Sequence, residues 1–148
     1  MSNDVTPSQG PVPIEKILAF EDELRKLPPV ELTPQHFFSD GVYARALPLP
    51  KGVTATGKIH KYRSLNVLLK GEVTVTTEQG VQRVCAPFIV VSPPGTKRAV
   101  YAHEDSVWLT VHGTEETDLE IIERTFTADS YDEFLSFAAS EQMCLGGA

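Results

Sequence analysis

The sequence predicts an all-β domain, a sandwich or barrel with a short helix at each end. Short runs rich in β-branched and aromatic residues recur at roughly eight-to-twelve-residue spacing between turn signals, with no helical period among them. Helical 3–4 spacing of apolar residues is confined to the chain's beginning, and a cap signal stands near its end. With 148 residues, 41% hydrophobic and 22% charged, the chain is long and apolar enough to close one core unaided.

Residues 1–11 are polar and contain Pro and Gly, which predicts a flexible N-terminus. Ile14, Ile17, Leu18, Leu24 and Leu27 then mark one face of an amphipathic helix over residues 12–28. Pro13 suits its first turn and Pro28-Pro29 forbids its continuation. Its stripe has to be buried, and the reading favours an attachment device over a part of the barrel core. A barrel follows over residues 36–127. Its expected strands are Val42–Leu49, Val53–His60, Leu65–Leu69, Val73–Thr77, Val81–Cys85, Phe88–Ser92, Arg98–Tyr101 and Val107–His112, with a final strand through Leu119–Thr127. Residues 128–148 form a C-terminal helix and tail, with Asp129 or Ser130 capping a helix over Tyr131–Ser140.

Charge is segregated along the chain. The net charge of −7 divides into −4 over residues 1–40, +7 over 41–103 and −10 over 104–148. Acidic ends would repel phosphates, so nucleic acid is excluded as a general partner; the basic centre suits a local anion site or packing against the acidic ends. No run of about 20 apolar residues suits a bilayer. No basic-then-apolar leader is seen, and Cys85 and Cys144 make no disulfide framework, so a cytoplasmic, reducing compartment is expected. GxSxG, Walker-type and HExxH signatures are absent from the sequence.

Two spacings within the β region carry chemistry. Gly52, Lys58-Ile59-His60, Ser64 and Gly71 stand at the intervals of G-x5-H-x-H-x3-E-x6-G, and Pro93-Pro94-Gly95-Thr96-Lys97-Arg98 matches P-x-G-x-x-H except at its last position. On these residues the chain resembles the cupins, and GKIHKYRSLNVLLKGEV with VSPPGTKRAVYAHEDSVW resembles small cupin-like proteins encoded by tailed bacteriophages. The resemblance spans about residues 38–115 and implies a double-stranded β-helix, or jelly-roll barrel. In metal-binding cupins two histidines, a glutamate and a third histidine converge on one cation. Here those positions carry Lys58, His60, Ser64 and Arg98, one possible ligand of four, so neither metal nor other cofactor is expected.

Alternate residues of a strand share a face, which directs Lys58 and His60 together into the barrel mouth. Lys58, His60 and Arg98, with Tyr62 and Ser64 as hydroxyl donors, compose an anion pocket; alternatively Lys58 and Arg98 pair with acids such as Glu104, Asp105 or Glu115 and the mouth is plugged. His36 and His112 read as packing residues, Trp108 as filling the interior or a subunit contact, and Cys85 as an inert thiol. No catalytic residue is assigned. The resulting expectation is a non-catalytic, homo-oligomeric binding or structural protein, virion-associated if the phage resemblance holds. The rivals are a cupin enzyme (an epimerase or isomerase with His60 as base and Tyr62 as acid, or a metal-dependent dioxygenase) and a sensor of small anions or carbohydrates.

Overall fold

The computed structural model describes residues 10–146, and the flexible stretch expected over residues 1–11 lies almost wholly outside them. The elements are α1 (Ile14–Leu24), β1 (Gln35–Ser39), β2 (Val42–Leu49), β3 (Thr54–Thr56), β4 (Ile59–His60), β5 (Ser64–Lys70), β6 (Glu72–Thr77), β7 (Gly80–Cys85), β8 (Phe88–Ser92), β9 (Ala99–Ala102), β10 (Ser106–Gly113), α2 (Leu119–Phe126), β11 (Thr127–Ala128) and α3 (Tyr131–Gly146). All strand pairs are antiparallel. One sheet runs β1-β2-β10-β5-β8 and the facing one β3-β9-β6-β7, with β11-β4 as a small third pair. From β5 onward the chain crosses from one large sheet to the other at β5–β6, β7–β8, β8–β9 and β9–β10, with β6 and β7 a hairpin within one sheet. This is a double-stranded β-helix.

Alternation builds the two layers. Val73 and Val75 of β6, Val84 of β7 and Leu68 of β5 point inward and close one end of the barrel, with Phe88, Val100 and Trp108 packed on them. A second cluster joins Ile59 and Ala128 of the small pair to Phe134 of α3, with Ile14 and Tyr131 against it. The strand expected over Val53–His60 is two pieces, because the backbone leaves the ladder at Gly57, whose carbonyl accepts from Lys97 Nζ at 2.7 Å.

The strand expected through Leu119–Thr127 is a correction: residues 119–126 are the helix α2. The Asp118 carboxylate accepts from the backbone N–H groups of Glu120 (2.9 Å) and Ile121 (3.3 Å), capping the first turn. Leu119, Ile122 and Phe126 then fall on one helical face, and this cap and stripe outweigh the β propensity of Ile, Thr and Phe. The strand β1, absent from the expected set, pairs with β2 from Gln35↔Ala46 to Ser39↔Val42. Ser130 caps α3 as its sequence suggests, accepting from Glu133 N at 3.1 Å while Glu133 Oε2 accepts from Asp129 N at 2.8 Å. α3 continues past the expected Ser140 to Gly146.

α1 is shorter than the expected 12–28 and lies on its own barrel. Ile17 is 5% exposed, and Glu21 reaches Lys97 Nζ at 2.9 Å and accepts from Thr56 Oγ1. Of the expected stripe, Ile17 is buried and Ile14 packs on the second cluster, Leu18 and Leu24 are half-buried, and Leu27 stays 60% exposed. Burial pushes the Glu21 carboxyl up, but the hydrogen bonds from Thr56 and Lys97 and the charges of Lys97 and Arg25 outweigh it and hold the carboxyl below its usual range.

Gly71, the last position of the first motif, takes φ 93° in the turn joining β5 to β6, and a Cβ there would stand 2.7 Å from the Asp105 carbonyl oxygen and from Ser106 Cα. Gly57 faces open space without positive φ. Gly71→Ala is expected to lower stability by about 3 kcal/mol or more, and Gly57→Ala by less than about 1 kcal/mol, in urea unfolding. Equal effects would contradict this account of the turn.

Candidate functional site

The barrel is not filled. A cavity of about 560 Å3 opens between the sheets and under α2. Its apolar walls include Leu47 and Leu49 of β2, Val75, Val100 and Trp108, and Ile122 and Phe126 of α2 form part of its roof. On β2 the inward positions Tyr43, Arg45, Leu47 and Leu49 alternate, as a strand requires.

The floor is a hydrogen-bonded network centred on Asn66. Its Oδ1 accepts from Trp108 Nε1 (3.1 Å) and Thr110 Oγ1 (3.2 Å), and its Nδ2 donates to Ser92 Oγ (2.7 Å) and Ser64 Oγ (3.3 Å). Arg98 continues the network, donating from Nη2 to Ser92 Oγ (2.7 Å) and Glu78 Oε1 (3.1 Å) and from Nη1 to the Thr76 carbonyl (2.7 Å). Every bond of that guanidinium therefore stays within the chain.

A stack of rings lines the mouth. His36 Nδ1 and Tyr43 OH lie 2.7 Å apart, Tyr43 stacks on His112 at 6.2 Å, His112 on His60 at 5.7 Å, and Phe126 on His112 at 4.5 Å between centroids. His60 Nδ1 is buried and has no hydrogen-bond partner among the described residues. Burial, followed by the charges of His112, Arg98 and Arg45, holds His60 down to about 4. Burial and the Arg45 charge bring His112 down to about 4 as well. Both imidazoles are neutral at pH 7.

The five residues expected to form the pocket divide. Lys58, His60 and Arg98 line the cavity. Lys58 lies there with its ammonium paired to Glu123 of α2 and, at 3.3 Å, to Asp129. These are acids of the C-terminal segment, as the plugged alternative has it, though not the ones named for it, and Arg98 pairs with Glu78 instead. Tyr62 does not reach the cavity. β4 ends at His60, the chain bends, and the Tyr62 ring sits edge-on against Phe126 (5.8 Å) and Phe137 (5.2 Å). The proposed His60–Tyr62 acid–base pair therefore does not share a site. Ser64 is buried beneath the floor as a partner of Asn66. Of the remaining residues, Trp108 is an interior residue tied to Asn66, and His36 and His112 belong to the ring stack. Cys85 is half-buried, and burial with the adjacent Glu72 carboxylate pushes its thiol up.

Arg45 is the functional candidate that sequence reasoning missed. It lines the cavity mouth, its charge is felt by Tyr43, His60 and His112, and its guanidinium has no ion-pair or hydrogen-bond partner among the described residues. Its in-phase position with Tyr43, Leu47 and Leu49 was the available signal.

The residues at the four cupin ligand positions do not fit a metal. Lys58 and Arg98 are cations engaged with carboxylates, the Ser64 hydroxyl accepts from Asn66, and only His60 offers an imidazole nitrogen. Among the described residues no three His, Cys, Asp or Glu side chains stand close enough to hold an ion. His36, His60 and His112 are near one another through stacking, which aligns ring faces rather than nitrogen lone pairs.

The chain is similar in fold to solved cupins. These include KdgF from Halomonas sp. (16% identity, 60% of this chain and 87% of that one, TM-score 0.49). A cupin superfamily protein from Desulfitobacterium hafniense matches at 13% identity over 78% of this chain and 100% of that one, with TM-score 0.48. An RmlC-like cupin family protein from Methanocaldococcus jannaschii matches at 17% identity over 56% and 80%, with TM-score 0.44. No protein-family model and no curated sequence matches the chain.

The two histidines titrate near 6.5 when unfolded and near 4 when folded, so the unfolded chain binds more protons between those values. Their contribution is complete above about pH 6.5 and is lost as pH falls toward 4. His60→Gln is expected to remove up to about 3 kcal/mol of that pH dependence, read as the change in urea midpoint between neutral and acidic buffer. An unchanged pH profile would show that His60 is not held neutral by the fold.

Proposed function

We propose that this chain is a non-catalytic, cupin-like binding protein whose barrel holds a small organic anion, a carboxylate with an apolar body. The observation that carries the reading is the charge of the cavity. Its lining contains Arg45, Lys58 and Arg98 against Glu123 alone, an excess of two positive charges inside a chain of net charge −7. Lys58 and Arg98 are already paired, which leaves Arg45 as the cation available to a ligand. A carboxylate on Arg45 forms a charge-assisted, bidentate contact, and neutral His60 and His112 add donors beside it. The walls of Leu47, Leu49, Val75, Val100 and Trp108 then take the apolar body. The anchor is thus Arg45 with His60 and Arg98 behind it, rather than the set Lys58, His60, Tyr62, Ser64 and Arg98. No side chain of the cavity speaks for the virion-associated role that the phage resemblance implies.

Titration calorimetry with a series of aliphatic and aromatic carboxylates, each against its neutral amide, tests the reading. Carboxylates are expected to bind and amides to bind at least about tenfold more weakly, and Arg45→Gln to erase that difference. Equal binding of acid and amide, or binding untouched by Arg45→Gln, would overturn it.

A further inference from the structure

The cavity passes from a polar mouth to an apolar inner end, and the strand register orders its layers. Tyr43 and His112 stand opposite each other at the mouth; next come Arg45, Thr110 and Asn66, then Leu47, Trp108 and Leu68, and last Leu49 beside Ser106. Arg45 is exposed and Leu49 only 1% exposed, so the Leu49 end is the closed one. The inner lining is Leu47, Leu49, Ala55, Val75, Val100 and Trp108. The one polar side-chain atom among these, Trp108 Nε1, is committed to Asn66 Oδ1 at 3.1 Å. The Ser106 hydroxyl donates to the Glu104 carbonyl at 2.7 Å and does not reach the lining. A ligand hydroxyl or second carboxylate carried to this depth would lose water and gain no partner.

We propose that Leu49 is the end stop of the site: it sets the length of the carboxylate that the barrel accepts, and that carboxylate is polar at one end only. The inference rests on the reading of Arg45 as the anchor. Arg45 and Leu49 are four residues apart on β2, about 13 Å at about 3.3 Å per residue, which is close to the span of extended octanoate. Each methylene that leaves water along Leu47, Trp108, Val75 and Val100 strengthens binding about fourfold. A chain that has reached Leu49 meets the closed end and gains nothing from a further methylene. Sugar acids and dicarboxylates of the same length bring polar groups to this end and are rejected.

Titration calorimetry of the full chain with the straight-chain acids from butanoate to dodecanoate tests the proposal. Affinity is expected to rise about fourfold per methylene to a maximum near octanoate and to fall by dodecanoate. Leu49→Ala, checked for folding by circular dichroism, is expected to move the maximum toward decanoate, and Leu49→Phe toward hexanoate; a merely structural role would weaken every acid alike. The wild type alone supplies a second arm: the terminal hydroxy acid of octanoate and octanedioate are expected to bind at least about tenfold more weakly than octanoate. An affinity that climbs unbroken to dodecanoate, a maximum unmoved in folded Leu49→Ala, or equal binding of octanoate and its terminal hydroxy acid would overturn the proposal and leave the Arg45 anchor standing. Failure of every acid to bind would overturn both.

Discussion

The barrel depends on a polar bridge laid across its interior. Asn66 of β5 binds Trp108 and Thr110 of β10 and Ser92 of β8, and Arg98 carries the chain of bonds from Ser92 to the Thr76 carbonyl in the facing sheet. A buried amide or hydroxyl left without a partner costs about 1–3 kcal/mol, so these groups must keep their mutual distances. The two sheets cannot then collapse onto each other, nor can apolar side chains replace the floor one at a time. The cavity is the space this constraint leaves, and its polarity is a consequence of the bridge rather than an addition to it.

The segregated charge of the sequence completes the site. The acidic ends do pack against the basic centre: Lys97 meets Glu21 of α1, Lys58 meets Glu123 and Asp129, and Lys61 donates to the Arg124 carbonyl at 2.7 Å beside Glu133 at 3.8 Å. The exposed pairs of Lys58 add little stability, whereas the Lys97–Glu21 pair is largely buried. The effect of the Lys58 pairs is selection, because they occupy a cation of the cavity lining that would otherwise compete for a ligand. They also hold α2 and α3 at the barrel's open end, with Phe126 stacked on His112. Arg45 is left over at the mouth, between neutral imidazoles and apolar walls.

Much of this was legible in the residues. Alternating strands of five to eight residues bounded by Gly and Pro announce themselves, and Phe88–Ser92 and Val42–Leu49 fall where the pattern puts them. The motif glycines were readable because the turn at Gly71 admits no Cβ. Residues 119–126 were not, because β-branched composition spoke louder than a single Asp118 cap whose value depends on the cavity that α2 roofs. Tyr62 was misplaced by extending strand alternation through a bend two residues past His60. Asn66 was hidden by its pattern: Ser64 and Asn66 are polar and Leu65, Val67 and Leu69 apolar, so alternation directs Asn66 to solvent, whereas Ser64 and Asn66 are buried and Leu65 and Leu69 exposed.

The bridge between the sheets is the central claim, and a double-mutant cycle on Ser92 and Arg98 addresses it most directly. Ser92→Ala, Arg98→Met and the double variant are compared by urea unfolding, the Met retaining most of the arginine stem. A coupling energy above about 1 kcal/mol is predicted, since each single change strands the other's buried partner. Additivity within about 0.5 kcal/mol would show that the two residues act separately and that the barrel stands without the bridge.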